Sequence, residues 1–141
     1  MKISTKGRYA LRLMLDLAIH QTGEPISLKA VAARQDISDK YLEQIVTQLS
    51  RAGMVRSIRG AGGGYMLSRP PEEYTVGDVL RLMEGELAPV PCAADDCACA
   101  RSECCVTMEV WQQIYQAVNQ VVDNLTLADL LARYREKELA R

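Results

Sequence analysis

The sequence lacks phenylalanine altogether and has a single tryptophan among its 141 residues. Its core therefore has to be built from aliphatic residues and methionine. Long apolar runs are also missing, since none approaches the roughly 18 residues that span a bilayer. The opening residues, MKISTKGRY, have no apolar stretch of the signal-peptide kind. We expect one domain-sized chain with no membrane association that works in the cytoplasm, where thiols stay reduced.

Cysteine is absent except in one short segment. All five cysteines lie from Cys92 to Cys105, within PCAADDCACARSECC, a stretch that is small, polar and acidic. An odd number packed this tightly argues against a framework of structural disulfides. Thiolates so close together bind soft metals or iron–sulfur clusters, or they exchange disulfides. The segment therefore predicts a loop that a ligand would order.

Histidine is nearly absent too, because His20 is the only one. It falls in the last turn of a predicted helix, where a cation suits the helix dipole, so we expect a structural role. The thiols have no histidine near them in sequence, and no CxxC motif opens a helix. We therefore do not expect an enzyme.

The net charge of −1 hides an uneven distribution. Residues 1–69 carry 11 Lys and Arg against 5 Asp and Glu, a balance of +6. Residues 70–141 carry 6 against 13, a balance of −7. A basic half followed by an acidic half indicates that only the first half meets a polyanion. The competing interpretation is a chance surface composition.

Hydrophobic spacing and capping residues predict a helix-turn-helix in the basic half. A first amphipathic helix covers about Thr5 to His20. Two more follow, from Leu28 to Arg34 and from Asp39 to Arg51, and a serine that can cap the helix precedes each of them. The three residues between them give the short connection that is typical of a helix-turn-helix.

A β-hairpin is predicted directly after these helices. Residues Met54 to Arg59 alternate in polarity, and Tyr65 to Leu67 return after a glycine-rich turn. A hairpin in this place is the wing of a winged helix. The glycines do not indicate a nucleotide site, because no Lys-Ser or Lys-Thr follows them. The predicted fold is mainly α, a winged helix-turn-helix with a small β-hairpin wing and a long C-terminal dimerisation helix.

The acidic half is predicted to hold a cysteine loop and a long helix. A helix from Val76 to Met83 precedes the loop, which spans about Gly85 to Cys105. The long helix covers about Val106 to Asn124, and a short helix from Leu127 to Tyr134 leads into a charged tail. The apolar stripe of the long helix is either buried within one chain or packs on a second copy. We favour a homodimer, with interface residues Trp111, Ile114, Val118, Val121 and Leu125.

These elements divide the chain into three regions of one intertwined domain. Residues 1–69 form the winged helix-turn-helix DNA-binding region. Residues 70–105 form a linker helix and the cysteine-rich loop, and residues 106–141 form the dimerisation helix and a tail.

The outward face of the second helix of the helix-turn-helix suits base recognition in the DNA major groove. Glu43 can accept a hydrogen bond from the cytosine amine, and Gln44 can pair with adenine. Arg59 at the wing tip is placed to enter the minor groove, and nearby basic side chains would neutralise phosphates. The alternative is an ordinary solvated helix face. The candidates for DNA contact are Lys6, Arg8, Ser38, Lys40, Tyr41, Glu43, Gln44, Arg56, Arg59 and Gly60.

Several motifs together resemble one known family. Nearly the whole chain is covered by MKISTKGRYALRLMLDLA, ISDKYLEQIVTQL, VRSIRGAGGGYML, TVGDVLRLMEG, CVTMEVW and NLTLADL. These segments resemble the Rrf2 family of winged-helix transcriptional regulators, with IscR-like features and a CymR-like N-terminal half. The resemblance implies a homodimer on double-stranded operator DNA, with Glu43 and Gln44 of YLEQ reading bases and Arg59 in the minor groove. Lys40 stands where some relatives carry serine.

The resemblance to IscR-like members also implies a [2Fe-2S] cluster. Those members bind it through three loop cysteines and a histidine three residues after the last cysteine. The corresponding cysteines here are Cys92, Cys99 and Cys105. The histidine position holds Met108, so the fourth ligand stays open, and a residue of a partner chain is one option. The local candidates are Cys97, Cys104 and Glu109.

Two interpretations of the cysteine loop compete. The first is a regulator that senses iron–sulfur cluster status through its [2Fe-2S] cluster and controls cluster-assembly or related genes, with cluster-donor proteins as further partners. The second is a CymR-like regulator of cysteine or sulfur metabolism, or a sensor of thiol state or nitric oxide, without such a cluster. A zinc site would use the same thiols, although their spacing is not that of two CxxC knuckles.

Overall fold

The computed structural model describes residues 1–95 and 99–141. In this part of the chain the fold is mainly helical, with one two-stranded antiparallel sheet, and no helix is long and apolar enough to cross a membrane. The prediction of a mainly α winged helix is confirmed. The elements are α1 (Thr5–Ile19), α2 (Leu28–Gln35), α3 (Asp39–Arg51), β1 (Val55–Ile58), β2 (Gly64–Leu67), a 3₁₀ turn (Pro71–Glu73), α4 (Val76–Glu84), α5 (Pro91–Ala94), α6 (Val106–Asp123) and α7 (Leu127–Leu139).

Hydroxyl side chains fix where most of the helices begin. Ser27 and Ser38 cap α2 and α3 by accepting hydrogen bonds from backbone N–H groups of the first turn. Thr75 and Thr126 cap α4 and α7, and each forms a reciprocal capping box with an aspartate three residues later. The helix starts predicted from these residues are therefore confirmed.

The ends of the elements differ more from the prediction. The last helix runs to Leu139, so the predicted end at Tyr134 is wrong. The residues after Tyr134, REKEL, are all strong helix formers, and no glycine or proline interrupts them. The short helix α5 lies inside the segment that was predicted as a loop, and β1 leaves out Met54 and Arg59.

One hydrophobic core joins the helix-turn-helix, the sheet and the last helix. In it, α1 packs against α2, α3, α4, α7 and β2, and α7 contributes Leu127 and Leu131. Tyr74 is fully buried beside them, where its hydroxyl donates to the Met54 carbonyl at 2.7 Å and accepts from the Arg69 N–H at 3.0 Å. Segments from the acidic half therefore complete the core of residues 1–69.

A second, smaller core attaches the long helix α6 to α4. It contains Val76, Leu80, Leu87 and Val122. Beside it, the Arg81 guanidinium donates to both carboxylate oxygens of Asp123, at 2.6 and 3.0 Å, and to Asn119 at 2.8 Å. The hydrogen bonds from Arg81 lower the pKa of Asp123 below its ordinary value.

An ion pair between a buried carboxylate and a half-buried arginine fixes α2 to α1. The carboxylate of Asp16 is fully buried, and it accepts hydrogen bonds from Arg34 at 2.7 and 3.0 Å and from Gln35 at 2.9 Å. The hydrogen bond to Asp16 raises the pKa of Arg34. His20 contacts the same turn of α1, with its Nδ1 atom 3.0 Å from the Asp16 carbonyl oxygen. This contact is of the structural kind that the sequence predicts for His20.

We expect Asp16→Ala to destabilise the fold by about 2–3 kcal/mol, because it leaves the Arg34 guanidinium without its partner. For a chain of this length, that is a fall in Tm of about 5–10 °C in thermal unfolding followed by circular dichroism. Glu24→Ala, which removes an exposed carboxylate from a loop, is the matched control. Equal Tm values for the two variants would contradict the role assigned to Asp16.

Candidate DNA interface and cysteine-rich site

The second helix of the helix-turn-helix, α3, has one buried face and one polar face. Leu42, Ile45, Val46 and Leu49 point into the core. The exposed side carries Glu43, Gln44 and Thr47. A cleft of about 410 Å³ runs along this side and also receives Lys6 from α1; its lining residues are Lys6, Lys40, Glu43, Gln44, Thr47, Gln48 and Arg51. The structure therefore brings the predicted base-reading residues together with a lysine from another helix.

Two of the predicted contact residues have structural partners at the start of α3. Ser38 accepts the Tyr41 backbone N–H at 3.2 Å and so caps the helix. The Tyr41 ring is half-buried and packs edge-on against Tyr9 of α1, with ring centroids 5.7 Å apart. Tyr41 therefore also fixes the position of α3 on α1.

The wing presents its basic residues to solvent. Arg56, Arg59 and Gly60 are all exposed, and Gly60 takes a φ of +105° in the turn between β1 and β2. A side chain there would strain the backbone, so glycine suits this position. The turn leaves Arg59 at the free end of the hairpin, where the sequence predicts it.

The start of α1 forms a second basic surface. Arg8 is exposed, and Lys6 is half-buried. A cleft of about 540 Å³ is lined by Lys2, Ile3, Ser4, Thr5 and Arg8. This end of α1 has no acidic residue in its first turn. The two predicted phosphate contacts of α1 thus lie at the same end of that helix but line different clefts, Lys6 the one along α3 and Arg8 this one.

The described cysteines lie in α5 and in the segment that leads into α6. Cys92 is half-buried in α5, which packs against α6. Cys105 is the N-cap residue of α6, with its Sγ 3.3 Å from the Thr107 hydroxyl. Hydrogen bonds from Thr107, and then from the Met108 backbone, lower the pKa of the Cys105 thiol. A thiol whose pKa is lowered has more of the thiolate form that binds a metal.

Cys99 and Cys104 flank one short turn. The Arg101 N–H donates to the Cys99 sulfur at 3.5 Å, and the Cys104 thiol donates to the Arg101 carbonyl at 3.6 Å. Cys99 is half-buried and Cys104 is exposed. Cys97, one of the candidates for the fourth ligand, lies outside the described residues.

The donor chemistry of these cysteines fits an iron–sulfur cluster, since clusters are held by thiolates. Their arrangement does not yet form a site, because within residues 1–95 and 99–141 no three His, Cys, Asp or Glu residues lie close enough to hold a metal ion. Met108, at the position expected for a histidine ligand, is buried, whereas Glu109 beside it is exposed. The described candidate ligands thus lie between α5 and the first turns of α6 in the chain, but they are not gathered around one point.

An apolar groove of about 420 Å³ lies between α6, α4 and the start of the chain. Its lining residues are Met1, Ile3, Leu80, Leu87, Ile114, Ala117, Val118, Val121 and Val122. Ile114 is 39% and Val121 58% exposed. Of the predicted dimerisation residues, Trp111 is half-buried and Leu125 packs against the core of its own chain.

Two exposed valines extend this apolar surface and were missed in the sequence. Val106 is 74% and Val110 47% exposed. They continue the stripe of Ile114 and Val118 at a spacing of four residues, which is a helical spacing that the sequence could have revealed. The exposed stripe therefore begins at the first turn of α6, beside Cys105.

Residues 3–133 match the sequence model of the Rrf2 family, which is described as an iron-dependent transcriptional regulator. The chain belongs to the Rrf2 family. The CymR transcriptional regulator of Bacillus subtilis is 45% identical over 138 residues, which cover 98% of this chain and 94% of CymR.

Solved Rrf2-family structures superpose on nearly the whole chain. CymR, the global cysteine regulator of B. subtilis, has a TM-score of 0.81 at 43% identity and covers 94% of this chain and 98% of its own. IscR of T. potens has a TM-score of 0.81 at 40% identity and covers 100% of this chain and 93% of its own. The Rrf2-family assignment makes the chain a transcriptional regulator, and it is similar to both CymR and IscR.

Proposed function

We propose that this Rrf2-family regulator binds a [2Fe-2S] cluster in its cysteine loop and uses it to sense iron–sulfur cluster status. The observation that carries the proposal is the concentration of all five cysteines in one segment at the start of α6. The lowered pKa of the Cys105 thiol supports it further, because the thiolate is the form that binds metal. The genes under control would be those of cluster assembly or related processes.

The proposed ligands are Cys92, Cys99 and Cys105. Cys97, Cys104 and Glu109 are the local choices for a fourth, and a partner-chain residue is another. The buried thioether of Met108 is a poor replacement for histidine, since its sulfur is only a weak acceptor. When bound, the cluster supplies a reversible one-electron centre that is open to iron and oxidant chemistry. The protein would hold the thiolates, and a change in their positions would be passed on to α6.

On DNA, α3 would lie in the major groove, with Glu43 accepting from a cytosine amine and Gln44 pairing with adenine. Arg59 would enter the minor groove beside it. Lys6, Arg8 and Arg56 would contact phosphates and so make binding depend on salt. The cleft that unites Lys6 with Glu43 and Gln44 supports this assignment.

The functional unit would be a homodimer, because an operator with two half-sites needs two copies of α3. The exposed stripe on α6 and the apolar groove beside it are the surface proposed for a second copy. Its residues include Ile114, Val118 and Val121.

We expect Val121→Asp to give a monomer, since a carboxylate buried in an apolar interface costs several kcal/mol. Analytical ultracentrifugation measures the change directly. Gln116→Asp adds the same charge at an exposed position five residues earlier, about 140° around α6 from Val121, and it should remain dimeric. A dimer of undiminished affinity in Val121→Asp would mean that the interface lies elsewhere.

A second candidate function is supported by the similarity to CymR. In this case the chain would regulate cysteine or sulfur metabolism without a cluster, and the thiols would respond directly to oxidants or nitric oxide. The exposed Cys104 and Cys105, whose thiol has a lowered pKa, are neighbours in sequence and are suited to such chemistry.

The deciding experiment is anaerobic purification followed by reconstitution with iron and sulfide. The proposal expects a coloured protein with about two irons and two sulfides per chain. Operator affinity is then compared before and after reconstitution, on a duplex selected from a random library by the wild-type protein. A colourless protein whose DNA affinity instead follows thiol oxidation would support the CymR-like function.

A further inference from the structure

The first turns of α1 carry charges of the wrong sign for a helix start. The N-terminus of a helix has a partial positive charge, which favours acidic side chains. Here Lys2, Lys6 and Arg8 lie at this end, and the first turn contains no acidic residue. A DNA-binding surface needs these cations, but the helix itself is destabilised by them. A negative charge from elsewhere is required to offset this effect.

Glu84, the last residue of α4, supplies that charge. Its Oε1 atom accepts hydrogen bonds from the Ser4 backbone N–H at 3.0 Å and from the Ser4 hydroxyl at 2.5 Å. The Ser4 hydroxyl oxygen in turn accepts the Gly7 N–H at 3.1 Å and so caps α1. A carboxylate at the C-terminus of α4 is unfavourable for α4. Its position therefore benefits α1 and not its own helix.

Gly7 shows that space is kept for this carboxylate. Glycine destabilises a helix relative to alanine, yet Gly7 lies within α1 and is buried. A Cβ atom at this position would collide with Oε1 of Glu84. The absence of a side chain at Gly7 thus allows α4 to place its terminal carboxylate against the start of α1.

The contact between Glu84 and Ser4 lies between the proposed DNA interface and the cysteine loop. On one side, Lys6 reaches the cleft that contains Glu43 and Gln44 of α3. On the other side, the cysteine loop begins directly after Glu84. There, Glu86 accepts a hydrogen bond from the Tyr115 hydroxyl of α6.

Two further contacts anchor the first residues of the loop. Leu87 is 2% exposed in the smaller core. The Met1 amino group donates to the Pro89 carbonyl at 3.3 Å. The residues before α1 and the residues after α4 are therefore held together.

We infer that Glu84 is a positioning residue that holds the first turn of α1, with Lys6 and Arg8, against the operator phosphates, and that it couples the state of the cysteine loop to this turn. The coupling rests on the proposed function, whereas the positioning needs only DNA binding. The loop would act on DNA through the phosphate contacts of α1 as well as through α3.

The first test is the salt dependence of DNA binding by the protein as purified, before reconstitution. Loss of each phosphate contact lowers the slope of log K against log salt by about 0.9 and the affinity by about 5-fold at about 0.15 M salt. We expect Glu84→Ala to lose one to two such contacts. Glu84→Gln keeps an acceptor oxygen for Ser4 but removes the charge, so it should recover only part of the slope. Gly7→Ala should reproduce the effect of Glu84→Ala by displacing the carboxylate.

Glu72→Ala is the matched control, because it removes an exposed glutamate from the same half of the chain. General electrostatics predicts stronger DNA binding after the loss of any acidic residue. Only a positioning role predicts weaker binding for Glu84→Ala, so the two variants should change affinity in opposite directions. An unchanged slope, or tighter binding by Glu84→Ala, overturns the inference. Circular dichroism checks folding, and Ser4→Ala carries the test where Glu84→Ala does not fold.

The second test compares operator affinity before and after reconstitution. For the wild-type protein, the ratio of operator affinity after reconstitution to affinity before it should differ from one. For Glu84→Ala this ratio should be close to one, although the variant should keep the wild-type iron and sulfide content. A retained ratio would overturn the coupling. A protein that takes up no cluster would instead reject the proposed function, and the salt-dependence result for positioning would still stand.

Discussion

We expect alanine at Cys92, at Cys99 or at Cys105 to abolish the [2Fe-2S] cluster of the reconstituted protein. A cluster of this type needs four protein ligands, and the chain has few donors near the start of α6 to replace a lost thiolate. Each variant should fall from about two irons per chain to nearly none. Visible absorption, together with iron and sulfide assays under anaerobic conditions, measures the loss.

Met108→Leu is the control for this series, because Met108 is buried and leucine preserves its apolar packing. It should keep the full cluster. Cys97→Ala, Cys104→Ala and Glu109→Ala then identify the fourth ligand as whichever variant loses the absorption. If the variants at Cys92, Cys99 and Cys105 all retained the cluster, the ligand assignment would be wrong even though a cluster is present.

The second large effect is expected on DNA recognition. Glu43→Ala and Gln44→Ala should each cost about 1–3 kcal/mol on the selected operator and relax the preference at one base pair. Because neither residue contacts phosphate in the proposed complex, the salt slope should stay unchanged. Binding to the selected duplex and to single-base variants of it, measured at several salt concentrations, separates the two quantities.

Substitution of a basic residue should instead change the salt slope and leave the base preference unchanged. Arg56→Ala should lower the salt slope by about one and weaken all sequences alike. Lys137→Ala, on α7 in the acidic half, is the matched control and should change neither quantity. A loss of base preference in Arg56→Ala, or an altered slope in Gln44→Ala, would show that α3 and the wing are docked differently from the proposal.

Local sequence signals predicted most of the fold because the decisive residues are near one another in the chain. Ser27 and Ser38 cap the helices that they precede, and the glycine-rich turn between β1 and β2 produces the wing. The end of α7 was not predicted, because a charged helical segment and a charged tail have the same composition. Propensity summed over REKEL favours the helix.

Contacts between distant residues could not be predicted in the same way. Glu84 meets Ser4 across 80 positions, and Arg81 meets Asp123 across 42. Each of these residues has an ordinary role on its own helix, so no local pattern marks it. Only the packing of α4 against α1 and α6 brings the partners together. The polar face of α3 was predictable because the apolar residues of that helix recur at helical spacing, whereas the relative positions of the cysteines depend on a loop whose order is not encoded locally.

The packing of α7 on α1 has a consequence for the order in which the protein matures. During synthesis the helix-turn-helix emerges first, but its core stays open until Leu127 and Leu131 arrive. The Thr75 and Thr126 segments then pair, with the Leu127 N–H donating to the Tyr74 carbonyl at 2.9 Å. The cysteine segment is translated before α7. A nascent chain would therefore expose its thiols before the core of the helix-turn-helix is complete.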